Sequence, residues 1–526
     1  MYKIFIADKL GPEGVDLLKQ QSDAEVDFAP GLSEAEVIER IGRYDAVIVR
    51  SATKIKGAVL EAAKNVRVIG RAGIGVDNID VDGATERGIV VLNTPDANAT
   101  TTAELAIAHL FSVNRNLPQA DSSVRGGQWR RDLLGTEITG KTIGIIGFGT
   151  IGRIVADRCR GLKMKVIGHD PFVTNETFME HGVEPRGLDE LLAESDYVTM
   201  HCPVTDSTKG MMNAERFGKM KKGAMFINCA RGTLVDEAAL VAAVDSGHLA
   251  GAALDVFQTE PPKDSPVLGC EKILFTPHLG ASTHEAQAAV GTEIAKQVMT
   301  FLRTGEAINA VNLPRIPGDT IRKIEPYQAL ARKLGALLAG MITEPLKTLE
   351  VGLYGRASEL KIRPIANDAL IGVLSGHLSI PVNQVNANAI ARRQGVTVTE
   401  TCSENSRDFV SLLKLTGSSG GQTVTVEGTL FDEVRPRLVR INSYDLETAL
   451  EGLYVFTRHA DQPGVIGAIG ACLGKLGINI SSMHLGVAPG SDQALAAICV
   501  SQLLDESTLE SIRNIPGISN VMQISF

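Results

Sequence analysis

Residues 141–153 read KTIGIIGFGTIGR, and the fold of the chain turns on them. An apolar run, 142–146, enters Gly147-Phe148-Gly149-Thr150-Ile151-Gly152, and a helical pattern follows over 153–160. Strand, tight glycine turn and helix form the context in which G-x-G-x-x-G signals a dinucleotide site. Gly147 permits the turn, Gly149 lets a pyrophosphate approach the backbone, and Gly152 lets helix and strand pack closely. The helix N-terminus offers free N–H groups and a favourable dipole end to phosphates. A second strand, 165–169, ends in Asp170, near the usual spacing of about 20 residues. A carboxylate there accepts from a ribose diol and repels a 2′-phosphate. No Arg follows it in HDPFV, so NAD is expected over NADP.

Working outward, six strands are predicted: 142–146, 165–169, 197–201, 224–228, 251–256 and 273–276. Alternating with helices, they make a doubly wound parallel sheet whose strand ends share one edge. Polar residues gather at that edge: Cys229-Ala230-Arg231 after the fourth strand, Asp255 and Glu260 at and after the fifth, His278 after the sixth. Upstream, residues 1–95 show the same βαβ rhythm, with strands at 3–7, 26–29, 46–49, 66–69 and 89–92. Two strands there end in polar tips, VIVRSATK with Arg50 and Ser51, and VIGRAGIGVDNID with Arg71 and Gly73. Ligands of open parallel sheets lie beyond such strand ends, so both arginines can reach an anion; surface salt bridges account for them equally well. Long helices are expected at 98–117 and 285–302, bracing a hinge between the two sheets, with the cofactor domain inserted into the first. The loop RGGQWRRDLLGTEITG carries the single Trp and the pair Arg130–Arg131, a solvated turn or a lid for an anion.

Past residue 315 the rhythm changes. Helical segments at 327–340 and 367–375 precede a β-rich part at 422–431 and 437–442. Residues 452–526 read strand, helix, strand, strand, helix, strand, a ferredoxin-like βαββαβ unit. The expected fold class is α/β, with two doubly wound parallel-sheet domains, an α+β domain and the βαββαβ tail. Its boundaries are 1–97 with 287–313, 98–286, 314–450 and 451–526.

A chain of 526 residues, 44% hydrophobic, can bury several cores. A net charge of −9 suggests no nucleic-acid partner, and no apolar run reaches spanning length. Seven scattered Cys without CxxC or Cys/His metal spacing read as reduced thiols in a cytoplasm, and no metal is expected.

At the sheet edge, Arg231, Glu260 and His278 suit one chemistry. A hydride leaves carbon only as the hydroxyl on that carbon loses its proton. A neutral imidazole accepts a proton well at cellular pH, and a carboxylate orients the ring and stabilises the imidazolium. A guanidinium holds a substrate carboxylate bidentately. The trio therefore points to oxidation of a 2-hydroxy acid. A turn histidine and a solvated acid are the bland alternatives, and their location beside a dinucleotide turn weighs against both.

The stretches FINCARGTLVDEAAL, GAALDVFQTEPP and TPHLGAST, with RAGIGVDNID and GTEITGKTIGIIGFGTIGR, resemble the signature blocks of the D-2-hydroxyacid dehydrogenases over residues 1–310. The resemblance implies Arg231, Glu260 and His278 as the catalytic set. It implies NAD binding by Gly147, Gly149, Thr150, Ile151, Gly152, Asp170, Cys202, Pro203, the Cys229–Ala230 backbone, Asp255 and Gly280. The chain is most similar to the long branch of that family that oxidises 3-phospho-D-glycerate and carries an intervening domain and a C-terminal ACT domain. That implies Arg50, Ser51, Arg71, Gly73 and Arg131 as substrate contacts. HADQPGVIGAIGACLGKLGINISSMH is similar to ACT domains, and implies L-serine as an allosteric ligand at His459, Asp461 and Asn479. His459 stands where some relatives have Tyr. Paired tails would cover their sheet edges, so a homo-oligomer, dimer or tetramer, is expected. The alternatives are a glyoxylate or hydroxypyruvate reductase, and an NAD(H)-sensing regulatory protein on the same fold.

Overall fold

The computed structural model describes residues 1–313, 318–376, 378, 381–406 and 408–526. They form two compact units, residues 1–79 with 92–309, and residues 80–91 with 310–526.

The first unit begins with β1 (Tyr2–Ile6), β2 (Ala24–Phe28), β3 (Ala46–Val49) and β4 (Val68–Arg71), parallel in the order β2-β1-β3-β4. β3 is buried at every residue and β1 and β4 over most of their length, as in a parallel sheet covered by helices on both faces. The short β5 (Val90–Leu92) follows. The central sheet comprises β6 (Thr142–Ile146), β7 (Lys165–His169), β8 (Glu184–Pro185), β9 (Tyr197–Met200), β10 (Met225–Asn228), β11 (Gly251–Leu254) and β12 (Ile273–Phe275). Its order is β12-β11-β10-β9-β6-β7-β8, parallel throughout, with the chain reversing direction across the sheet beside β6. The helix His284–Thr304 then returns to the first sheet. A Cβ built on Gly14 would lie 2.5 Å from the Gly291 carbonyl oxygen, and one on Gly70 would lie 2.8 Å from Val298 Cγ2. Glycine at these points is what lets that helix close on the helix Pro12–Lys19 and on β4.

Two elements depart from the sequence reading. The central sheet has a seventh strand, β8, whose two residues are too short for any periodic pattern. The helix expected over 98–117 is two, Ala99–Asn114 and Leu117–Arg125, because Asn116 takes a left-handed conformation at φ 49° and Pro118 opens the next helix.

In the second unit, β13 (Thr348–Gly355), β14 (Thr397–Ser403), β15 (Ser411–Ser419), β16 (Gln422–Phe431), β17 (Arg435–Ile441) and β18 (Tyr444–Ala449) form a mixed sheet in the order β14-β13-β15-β16-β17-β18. Only β13 and β14 pair in parallel. The helices Gly318–Met341 and Ile362–Ser375 cover it; they approach so closely that a Cβ on Gly372 would lie 2.1 Å from the Arg332 carbonyl oxygen. Sequence reading found both helices, β16 and β17, and missed β13, β14, β15 and β18. The start of the expected third domain, residues 314–317, lies outside the described residues. The tail gives β19 (Leu453–Ala460), β20 (Ile480–Val487), β21 (Gln493–Val500) and β22 (Ile518–Ser525), antiparallel in the order β20-β21-β19-β22. With helices Val465–Lys475 and Glu506–Arg513 this is the expected βαββαβ unit. One face buries Val455, Ile469, Leu473 and Ile512. The opposite face carries Tyr454, Phe456 and Leu495 into the core of the mixed sheet and its helices. Among the described residues no helix is long and apolar enough to cross a membrane.

Candidate active site

The glycine turn has the geometry its residues require. Gly147 sits at φ 94°, and a Cβ there would lie 2.6 Å from the Cys202 amide nitrogen, so the turn packs directly on the loop after β9. On Gly152 a Cβ would lie 2.2 Å from the Gly147 carbonyl oxygen, a backbone clash that no side-chain shift relieves. Gly149, the residue before the helix Thr150–Gly161, faces open space, where a phosphate would meet the helix N-terminus. Asp170, directly after β7, accepts from Phe148 N at 2.9 Å and Phe172 N at 3.0 Å, which ties its carboxylate to the turn. Thr150 Oγ1 donates to Asp96 Oδ1 at 3.3 Å, Ile151 is half-buried, and Pro203 follows Cys202 at the surface. Turn, open cradle and acid together fit a dinucleotide without a 2′-phosphate.

Downstream along the same edge, His278 and Glu260 meet, with Nδ1 2.8 Å from Oε2. Burial pushes the Glu260 carboxyl up. The hydrogen bond and charge of His278, the Phe257 amide and the charge of Arg231 outweigh that and hold it below the ordinary glutamate range. Glu260 is thus a carboxylate placed to accept a hydrogen bond from His278 Nδ1–H, which leaves Nε2 as the ring nitrogen not engaged by Glu260. The backbone of His278 is left-handed at φ 55°, a conformation few non-glycine residues keep unless surrounding structure fixes it. Asp255 supplies that structure. Fully buried, it accepts from Thr276 Oγ1 at 2.6 Å, Leu279 N at 2.7 Å and Gly280 N at 3.0 Å, and its carbonyl oxygen accepts from His278 N at 2.9 Å.

Arg231 leaves β10 through an Asn228 brace: Asn228 Nδ2 donates to the Arg231 carbonyl at 2.9 Å and Oδ1 accepts from Ala230 N at 2.9 Å. The guanidinium reaches the first sheet, where Nε donates to Asp77 Oδ2 at 2.9 Å, and it also donates to the Ala230 carbonyl at 2.7 Å. Arg71, at the end of β4, curls over Gly73 and donates to the Ala72 carbonyl at 3.1 Å. Its Nε is buried without a hydrogen-bond partner among the described residues. Burial, then the positive charges of Arg231 and Arg50, bring its pKa down to about 10. Arg50 and Ser51 leave β3 on a loop held by Asp8, which accepts from Arg50 N at 2.6 Å and Thr53 Oγ1 at 2.6 Å. Asn78 donates to the carbonyls of Arg50 at 2.8 Å and Thr53 at 2.7 Å, clamping this loop to the one after β4.

The structure therefore brings Arg50, Arg71, Gly73, Arg231, Glu260 and His278 close to one another. Arg131 is not brought to them by any hydrogen bond or ion pair among the described residues; it stands in an exposed stretch after the helix Leu117–Arg125. In the tail, Asp461 and Asn479 are exposed, with Asp461 N donating to the Asp492 carbonyl at 2.8 Å and the Asn479 carbonyl accepting from Ser501 N at 3.0 Å. His459 does not join them at the surface: it is 2% exposed, with Nδ1 3.4 Å from Thr457 Oγ1. Sequence reasoning missed Asp8, Gly75, Asp77 and Asn78. A polar residue directly after an apolar strand, the signal used for Arg50, would have found Asp8 after β1.

A dinucleotide turn sharing its sheet edge with an arginine and a carboxylate-paired histidine defines a D-2-hydroxyacid dehydrogenase. Comparison agrees: residues 107–280 match the D-isomer specific 2-hydroxyacid dehydrogenase, NAD binding domain, and residues 323–442 match the D-3-phosphoglycerate dehydrogenase intervening domain. The TT0316 protein from Thermus thermophilus superposes with a TM-score of 0.55 at 33% identity, over 59% of this chain and 99% of that one. A glyoxylate reductase from Paecilomyes thermophila gives 0.55 at 30% identity, over 59% and 98%. D-3-phosphoglycerate dehydrogenase from Methanocaldococcus jannaschii is 38% identical across 100% of both chains, and that from Bacillus subtilis 36% across 100% of this chain and 99% of its own. The chain belongs to the D-3-phosphoglycerate dehydrogenase family.

Proposed function

We propose that the chain oxidises 3-phospho-D-glycerate to 3-phosphohydroxypyruvate with NAD, the first step of the phosphorylated route to L-serine. The observation that carries this is the convergence of three guanidiniums, Arg50, Arg71 and Arg231, on a cleft that also holds the Glu260–His278 pair. Mutually repelling cations, one of them half-buried with an Nε that has no partner among the described residues, suit a small ligand bearing both a carboxylate and a phosphate. The full-length relatives carrying this enzyme's name support the same substrate.

The residues divide the work. Arg231 holds the carboxylate and polarises the adjacent carbon–oxygen bond. Arg50 and Arg71 hold the phosphate end. His278 Nε2 takes the hydroxyl proton as the C–H bond breaks, and Glu260 stabilises the imidazolium. NAD, when bound along Gly147–Gly152 with its ribose on Asp170, supplies the hydride acceptor. Cys202, Pro203, Ala230, Gly280 and the Cys229 backbone would hold its remaining length.

Arg50→Ala tests the substrate assignment. A lost charge-assisted bond costs roughly 1.5–3 kcal/mol, or about 10–100-fold. KM for 3-phosphoglycerate should rise by that factor, and KM for an unphosphorylated 2-hydroxy acid much less. Equal losses on both would show that Arg50 does not read the phosphate.

The same reading takes the tail as an ACT domain that binds L-serine at Asp461 and Asn479, with the enzyme working as a homo-oligomer in the cytoplasm. The turn after β19 supports it: DQPG leads into the helix Val465–Lys475, whose N-terminus offers N–H groups to a carboxylate. Asp461→Ala should abolish inhibition by millimolar serine while leaving kcat near the wild-type value. A wild type that neither responds to serine nor binds it by calorimetry would remove serine from this reading.

A further inference from the structure

We infer that His109 is a positioning residue for the loop that carries the proton acceptor, acting through a buried, directional hydrogen-bond chain from Cys229 to Asp255. The inference rests on the assignment of His278 above. His109 lies on the helix Ala99–Asn114 and is 2% exposed. Its Nδ1 is 3.5 Å from Cys229 Sγ and its Nε2 is 3.0 Å from Thr276 Oγ1. Thr276 Oγ1 in turn lies 2.6 Å from Asp255 Oδ1. Asp255 then receives the amides of Leu279 and Gly280, the two residues that directly follow His278.

Counting protons sets the direction of every link. The Asp255 carboxylate is acceptor-only, so the single Thr276 hydroxyl hydrogen goes to it. Thr276 Oγ1 can then only accept from His109, and Nε2 must carry the ring hydrogen. Nδ1 of the neutral ring is left as the acceptor for the Cys229 S–H. Burial works in the same sense, disfavouring the charged forms of both His109 and Cys229. The pair is therefore a thiol beside a neutral imidazole, and not an activated thiolate.

The helix holds this loop at a second place as well. Thr101 Oγ1 and Thr102 Oγ1 each lie 3.0 Å from the Gly280 carbonyl. Between these ties and the His109 chain, residues 276–280 are fastened at both ends, with His278 held left-handed between them. Removing the Nε2 donor frees the Thr276 hydroxyl to rotate off Asp255, and Asp255 loses one of the three donors that fix its orientation. The base is then displaced without any change in its own chemistry.

The experiment compares two substitutions at one site in the full-length enzyme. His109→Leu keeps bulk and removes the donor; His109→Gln returns an N–H near the Nε2 position. His109→Leu should lower kcat by about 10-fold or more, since small displacements of a reacting group are costly, while KM for 3-phosphoglycerate moves less. His109→Gln should recover to within about 3-fold of wild type. Thr276→Val should match His109→Leu, and the double variant should be no worse than either single, because both break one chain. Equal loss in the Leu and Gln variants, additive loss in the double, or no loss in any of them overturns the inference. Should His109→Leu fail to fold, the Thr276→Val and Thr276→Ser pair decides alone, with Ser active if the chain matters and as impaired as Val if it does not. A wild type inactive on 3-phosphoglycerate would instead count against the substrate. In that case the tautomer still decides: histidine-selective ¹⁵N NMR should show His109 protonated at Nε2, and protonation at Nδ1 overturns the chain.

Discussion

His278→Ala lowers kcat by roughly 10²–10⁴, the usual cost of removing a positioned general base, while NADH binding stays near the wild-type value. The size of the effect follows from the pair it breaks. Glu260 is held as a carboxylate 2.8 Å from His278 Nδ1, so the ring is oriented before substrate arrives. Alanine removes the acceptor and leaves the carboxylate facing the cleft. Glu260→Gln keeps the shape and a hydrogen-bond partner but loses the charge, and costs less than His278→Ala. Stopped-flow measurement of the first turnover separates this loss from slow product release. A His278→Ala enzyme with wild-type kcat would remove His278 from the chemistry.

Gly75→Ala abolishes most of the activity without unfolding the protein. A Cβ there would stand 1.6 Å from Arg231 Nη2 and 2.7 Å from Asp77 Oδ2. Both atoms end flexible side chains, so the fold absorbs the methyl group by moving them. The guanidinium that moves is the one assigned to the substrate carboxylate. A displaced clamp costs about 10²-fold in kcat/KM, and the melting temperature should shift little. Gly152→Ala makes the contrast: its clash is with the Gly147 backbone at 2.2 Å, so the turn itself must distort and NAD binding should fail with it. A Gly75→Ala enzyme with wild-type kcat/KM would show that Arg231 does not need its observed position.

The parts of this site that were legible in the sequence are those where a local conformation demands a residue type. Gly147 at φ 94°, Gly152 under a carbonyl oxygen, and an acid at the end of the next strand are such demands, each met within about 30 residues of chain. Arg231, Glu260 and His278 were legible because parallel strands deliver their ends to one edge. Contacts that depend on two sheets meeting were not. Asp77 and Arg231 are 154 positions apart, and no periodicity or spacing links them. Gly75 looks like any loop glycine until a guanidinium is found lying on it. His109 reads as one more residue of a largely apolar helix, since its partners come from the ends of β10 and β12. The strands missed between 348 and 449 fail for another reason. β15, SLLKLTGSS, mixes apolar, charged and small residues, and its helix-covered face becomes apparent only when Leu413 and Leu415 are seen buried. β8 is a two-residue edge ending in Pro, which tertiary pairing and not local preference makes a strand.

The most direct test is steady-state NADH formation by the wild-type enzyme, with phosphohydroxypyruvate removed as it forms. 3-Phosphoglycerate is compared with D-glycerate and D-lactate, and NAD with NADP. The three-arginine cleft and Asp170 predict that kcat/KM is highest for 3-phosphoglycerate with NAD, by at least about 10-fold over either unphosphorylated acid and over NADP. An enzyme that oxidises D-glycerate or D-lactate as efficiently as 3-phosphoglycerate contradicts the assignment of that cleft to a phosphorylated substrate.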